Sequence, residues 1–206
     1  PFGAGSISQA LDDAKANGGG NIVFDVSGTL QFASAFIPED LVNISILGQT
    51  APAGGITITN TGTQSSERLW FVNSNNLIIR HIKFRAGFIE GAYDGIDFIG
   101  CINTILDHCS ISFGSDESVS TRLMGDTYTP ATNNITIQRV LMAENKTGGI
   151  IGSGDRPEDT GDFSYHKNLI VNSDHRFPNV ISDGRIDVIN NVIYDWYSRI
   201  NVYNGD

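Results

Sequence analysis

Asp107 and His108 stand side by side in Asn103–Ile111 (NTILDHCSI), and a carboxylate next to an imidazole has the make-up of a general acid–base pair. Their spacing argues against that role. Adjacent side chains on a strand point to opposite faces, so the pair is expected to serve the strand rather than a reaction. Cys101 and Cys109 lie eight residues apart with no histidine at ligand spacing, which excludes a zinc site. Two readings stay open for them: buried small hydrophobes, or a disulfide.

Charge narrows the partners. The chain of 206 residues carries a formal net charge of −10 and has a pI of about 4.6. Such a surface repels nucleic acid and anionic membranes. It would repel an acidic polysaccharide too, unless a bound cation or a local basic cluster reverses the sign. With 40% hydrophobic and 17% charged residues the chain is neither disordered nor a coiled coil. No apolar run approaches the ~20 residues of a membrane helix. The sequence starts at Pro1 with no leader, so any signal peptide is expected to have been removed already.

The elements that must position any site show as repeats. Asn76–Phe84, Asn103–Ile111, Asn134–Met142, Asp162–Ile170 and Arg185–Ile193 share a pattern. A polar residue is followed by an alternating apolar stretch and a further apolar position, and Asn43–Gly48 is a weaker early copy. The offsets between starts are 27, 31, 28 and 23 residues. Irregular spacing argues against a propeller or a helical repeat and fits stacked coils with loops of variable length. The alternation is that of strands. The expected fold is all-β: a right-handed, single-stranded parallel β-helix forming one domain over 1–206. Its row Ile79, Leu106, Ile137, Tyr165, Val188 should stack. A short helix at about 6–17, with Ser6 and Gln9 as a capping box and Gly18–Gly20 ending it, is expected to cap the first coil. No equivalent cap is visible at the far end, so truncation at Asp206, an oligomer or a capping partner is expected there. Trp70, Trp196, Phe84, Phe98 and Phe113 are read as core stacks.

Several segments resemble the pectate lyase family (polysaccharide lyase family 1). Asn21–Leu30 and Ile46–Pro52 resemble its opening coils, and Asn76–Arg85 its second coil. Asn103–Ser112 resembles its W-I-D-H-C type motif, Asp174–Pro178 (DHRFP) its R-x-P motif, and Asn191–Trp196 the coil that follows. The similarity runs from about Ser6 to Tyr203. It implies a secreted, extracellular enzyme that cleaves α-1,4-linked galacturonan by Ca²⁺-assisted β-elimination. It also implies a structural role for Asp107 and His108. Arg176 falls at the catalytic Arg, and Lys146 at the carboxylate-binding Lys. Asp94 and Asp116 fall at Ca²⁺ ligands, with Glu117 or Glu90 as substitutes for missing ones. The chain departs from the family's pattern at Ala92 and Ser120, where further acids are often found, and at Ile181, in place of a second Arg. A weakened or substrate-dependent Ca²⁺ site is the expectation.

The chemistry agrees with such a set. Removing the C5 proton beside a uronate carboxylate builds negative charge, which a cation and basic side chains offset. Two other classes remain in view. A polygalacturonase-type hydrolase needs clustered carboxylates and a Gly-His-Gly segment, which this sequence lacks. A non-catalytic polysaccharide-binding β-helix, such as a phage tail-spike or adhesin segment, is favoured by Ala92, Ser120 and Ile181.

Overall fold

Asn43, Asn76, Asn103, Asn134 and Asp162, four of which open the sequence repeats, all adopt left-handed backbone with φ of 51 to 56°. Asn and Asp tolerate that conformation better than other non-glycine residues. Stacking turns the column into an amide ladder: Asn76 donates to Asn43 (2.8 Å), Asn103 to Asn76 (3.0 Å) and Asn134 to Asn103 (2.6 Å). A second left-handed column, His81, His108, Arg139, Lys167 and Asn190, turns each coil out of that strand. The repeat seen in sequence is thus one strand between two fixed corners, together with the start of the strand that follows.

The computed structural model describes residues 3–61, 68–87, 91–123, 132–152 and 160–199. Three parallel sheets run the length of the solenoid. The first stacks Gly20–Ile22, Val42–Leu47, Asn75–Arg80, Ile102–Asp107, Thr132–Gln138, Thr160–His166 and Ile186–Ile189. The second stacks Gly28–Phe32, Ile56–Asn60, Ile82–Arg85, Ser110–Ser112, Leu141–Ala143, Leu169–His175 and Val192–Arg199. The third stacks Trp70–Val72, Ile96–Ile99, Glu117–Arg122, Thr147–Gly152 and Asn179–Ile181. The expected row is present: Ile79 pairs with Leu106, Leu106 with Ile137, Ile137 with Tyr165, and Tyr165 with Val188.

The three inner faces share one core. From the third sheet, Phe71 and Phe98 stack with centroids 5.7 Å apart. From the second, Phe84, Ile111, Met142 and Ile170 form one buried row. Burying each large apolar side chain contributes about 1.5–3 kcal/mol, and the parallel rows repeat that contribution coil after coil. Ile7–Ala16 is helical and buries Ile7, Leu11 and Ala14 in the same core, as a cap should. Its capping box is half formed. The Ser6 hydroxyl accepts from the Gln9 amide (3.2 Å), but the Gln9 side chain donates to Asp13 instead of reaching back. At the other end Val188, Val192 and Trp196 are exposed, and 200–206 lie outside the described residues.

Two expectations need correction, and the open choice for the cysteines falls to buried thiols. Trp70 is only half buried and Trp196 is exposed, so neither is a core stack; Phe113 sits half buried at a left-handed corner (φ 70°). Phe84 and Phe98 are core, as expected. Cys101 and Cys109 are free buried thiols, and burial pushes both up to about 12. Asp107 and His108 do not point apart. The corner at His108 (φ 53°) folds its Nδ1 back to 2.7 Å from the Asp107 carboxylate. Asp107 also takes Arg80 (2.8 Å) and Arg139 (3.4 Å), an ion cluster that ties three coils together.

Candidate active site

The third sheet differs from the others on its outer face. Its central outward row is Trp70, Asp97, Ser120, Ile150 and Asn179, one residue per coil. The turns entering these strands carry Asp94, Asp116, Lys146 and Arg176, each one coil further along. Stacked strands lie about 4.8 Å apart. Residues 22 to 30 apart in sequence therefore become neighbours.

Asp94, Asp116 and Glu117 converge, and one oxygen from each lies within 4.8 Å of the others. The side chains of Asp94 and Glu117 are 3% exposed, and that of Asp116 24%. The Glu117 amide donates to Asp94 (3.2 Å), which locks the two turns together. Arg176 reaches this cluster from two coils away. Its Nη1 is bonded to Glu117 Oε1 and lies 3.6 Å from Asp116 Oδ1. Gly148 makes that approach possible: a Cβ there would collide with the Arg176 carbonyl, which accepts from the Gly149 amide at 2.6 Å. Gly114, whose amide donates to the buried Asn145 side chain (2.8 Å), shapes the turn ahead of Asp116. Lys146 is exposed at the next turn, and its positive charge acts on Asp116.

The metal and basic residues expected from sequence are therefore brought to one face. Glu90 lies outside the described residues. Ile181 ends the last strand of the sheet, opposite Gly152, and brings no charge. Two residues went unread in the sequence. Asp97 is fully buried under the face and bonded to Arg122 at 2.7 Å; Arg122 also lies 3.5 Å from Asp94. The signal was the alternation in Ile96–Ile99 and Glu117–Arg122, which sets Asp97 and Arg122 on the outward side of otherwise apolar or small strands.

Burial pushes Asp94 up, against the pull of Arg122, and pushes Asp97 well up, reinforced by Asp94. Burial and then Asp94 raise Asp116. Arg122 is desolvated, which opposes its charge, but Asp97 and Asp94 outweigh this and hold it above its ordinary value. Hard carboxylate oxygens packed this closely are the donor set of a divalent cation such as Ca²⁺. Three carboxylates fall short of the six to eight ligands Ca²⁺ takes, which leaves positions for water and other oxygen donors.

Fold and site together define a parallel β-helix with a mixed carboxylate–arginine face. The chain is, more particularly, a relative of the pectate lyases. It is 32% identical over 194 residues to the "Probable pectate lyase C" of Aspergillus flavus, covering 91% of this chain and 40% of that protein. The protein of the same name from Neosartorya fischeri is 32% identical over 201 residues, 94% of this chain and 41% of its own length. "Pectate lyase 1" of Pectobacterium carotovorum is 30% identical over 152 residues, 68% of this chain and 39% of its own length. The chain spans about two fifths of the length of these curated relatives. No family profile matches the chain. A solved pectate lyase structure aligns with 81% of this chain and 51% of its own at 20% identity, with a TM-score of 0.49. Among the described residues no helix is long and apolar enough to cross a membrane.

Proposed function

We propose that this chain carries the reactive face of a pectate lyase-like enzyme that cleaves an α-1,4-linked galacturonan by cation-assisted β-elimination. The observation that supports this most is the contact of Arg176 with the cluster of Asp94, Asp116 and Glu117, with Lys146 beside it.

In β-elimination the C5–H bond breaks, its electrons form the C4–C5 double bond, and the C4–O bond to the next sugar breaks. The oxygen takes a proton from water as it leaves, and the C5 proton held by the base returns to solvent. Asp94, Asp116 and Glu117 would hold Ca²⁺, which when bound neutralises the uronate carboxylate as negative charge builds beside it. Lys146 would bind the same carboxylate from the solvent side. Arg176 would take the C5 proton. A guanidinium ordinarily keeps its proton far into the alkaline range, and here Glu117 and Asp116 pair with it. Those two carboxylates are also cation donors. Engaged with a cation, they would let go of the side chain they now hold and leave the guanidinium free to face the substrate. An alkaline optimum follows. A polymer of this size is met outside the cell, and extracellular action is part of the proposal.

A second reading, a non-catalytic polysaccharide-binding β-helix, is favoured by one observation: both carboxylates that flank Arg176 already pair with it. Polygalacturonate with Ca²⁺ distinguishes the two. Unsaturated product absorbance should grow with time, depend on added Ca²⁺ and accelerate toward alkaline pH. Polymer binding without product at any pH would leave only the binder.

A further inference from the structure

One coil before the carboxylate cluster, the third sheet opens into a cavity of about 190 Å³ lined by Arg68, Trp70, Tyr93, Asp94, Asp97 and Arg122. It is smaller than the roughly 300–1,000 Å³ of drug-sized sites, room for one sugar ring. The Arg68 guanidinium lies 4.4 Å over the Trp70 ring and 5.8 Å from the Tyr93 ring. No carboxylate among the described residues pairs with Arg68, whereas Arg122 is bound by Asp97 and Asp94.

We propose that Arg68, Trp70 and Tyr93 form a subsite for the carboxylate of one uronate ring, next to the ring held at the cation cluster.

The chemistry of the three side chains carries this. Stacking on an aromatic face fixes a guanidinium in orientation but leaves its in-plane N–H donors free, the geometry that grips a carboxylate through two bonds. Trp70 and Tyr93 add half-buried apolar surface with a polar tip, which suits a sugar ring. Asp94 and Asp97 beneath would repel a bound anion, but Arg122 spans both, at 3.5 and 2.7 Å. Arg122 and Arg68 together offset the two carboxylates, and Arg68 is the one of the two that no carboxylate among the described residues holds. Trp70 shares the outward row of Asp97 and Ser120, so a chain lying along this row passes from the subsite to the cluster.

The inference rests on the uronan reading above, and direct binding separates the two. In a Trp196→Phe background Trp70 is the remaining tryptophan of the two in the chain and reports on the cavity by fluorescence. Trigalacturonate and its fully methyl-esterified form are titrated against this protein with and without Arg68→Gln. The expected result is saturable quenching by trigalacturonate that weakens roughly tenfold or more in Arg68→Gln, the scale of a lost charged hydrogen bond. The ester should bind both proteins equally. Equal loss for acid and ester would mean that Arg68 merely props Trp70, and would overturn the subsite. So would no loss, or no binding at all. Arg68-dependent binding by a protein without lyase activity would sustain the subsite and remove the lyase reading. Lyase activity untouched in Arg68→Gln, with binding unchanged, would do the reverse.

Discussion

Arg176→Lys separates chemistry from architecture more cleanly than any other substitution at this site. Truncating Arg176 to Ala would strand Glu117, 3% exposed, without its partner. Leaving a buried charge unpaired costs up to about 3–5 kcal/mol, enough to confuse unfolding with inactivity. Lysine keeps the charge, and Asp116 offers it a second, 24% exposed partner. The Arg176 side chain is itself 29% exposed. The stability loss should therefore stay within about 1 kcal/mol, a fall in Tm of about 2–4 °C for a chain of this length. A residue that abstracts the C5 proton contributes roughly 10²–10⁴-fold, because lysine loses both the planar fork and its reach. The assay is initial-rate formation of unsaturated product from polygalacturonate over a range of concentrations, with Tm on the same samples. A drop in kcat on that scale at near-native Tm is expected. A rise in KM with unchanged kcat would make Arg176 an anchor for a uronate and not the base. Wild-type kcat and KM together would remove it from the mechanism.

Three further outcomes follow from the geometry. Gly148→Ala should lower both kcat and stability, the latter by about 1–3 kcal/mol, because its Cβ meets the Arg176 carbonyl and lies 2.8 Å from the Phe177 ring; unchanged kinetics would show that the Gly148–Arg176 contact does not position the guanidinium. Asn103→Ala should destabilise by about 1–2 kcal/mol through left-handed strain and a broken amide ladder, and Asn103→Gly by less; urea denaturation giving the opposite order would refute the ladder argument. Asp94, Asp97 and Asp116 are raised above their ordinary 3.8 by burial, so without metal the folded state binds more protons than the unfolded one. Stability should therefore fall as pH rises from about 3.8 through the raised values, Ca²⁺ should bind more tightly across the same rise and restore it, and calorimetry showing Ca²⁺ affinity independent of pH would refute Asp94 and Asp116 as ligands.

What the sequence made legible follows from periodicity. Stacked coils repeat one physical demand at each level. The left-handed corner asks for Asn, the inner row asks for Ile, Leu or Tyr, and both leave a mark every 23 to 31 residues that needs no knowledge of the loops. The row from Ile79 to Val188 was readable for that reason. The core stacks were overread. An aromatic in a strand looks the same whether it points in, as Phe98 does, or out, as Trp70 does, and only the register of the third sheet decides. The repeats read in the sequence lie in the other two sheets, because the strands of this one alternate polar residues outward for the site. Asp97 and Arg122 escaped notice on the same ground. Their partnership spans 25 residues and exists only once two coils align. Asp107 and His108 show the reverse error: strand alternation fails at the residue where the strand ends.

The charge of the chain is better understood locally than as a sum. A net −10 should repel a polyanion, and over most of the surface it would. On the third sheet four cations, Arg68, Arg122, Lys146 and Arg176, gather beside four carboxylates, three of them almost fully buried. Buried carboxylates contribute little to the field that an approaching polymer meets, because each is covered by or bonded to an arginine. The half-exposed Arg68 and the exposed Lys146 contribute most. The face is therefore near neutral, far less negative than the chain as a whole, and a divalent cation between Asp94, Asp116 and Glu117 would make it positive. Two added charges on a face near neutrality change the sign of the local potential, whereas on the whole protein they change −10 to −8. For this reason a cation dependence of polymer binding is expected even before any chemistry occurs. It should appear as faster association with galacturonan at low ionic strength when Ca²⁺ is present, and fade as salt shortens the screening length from about 30 Å at 0.01 M to about 8 Å at 0.15 M.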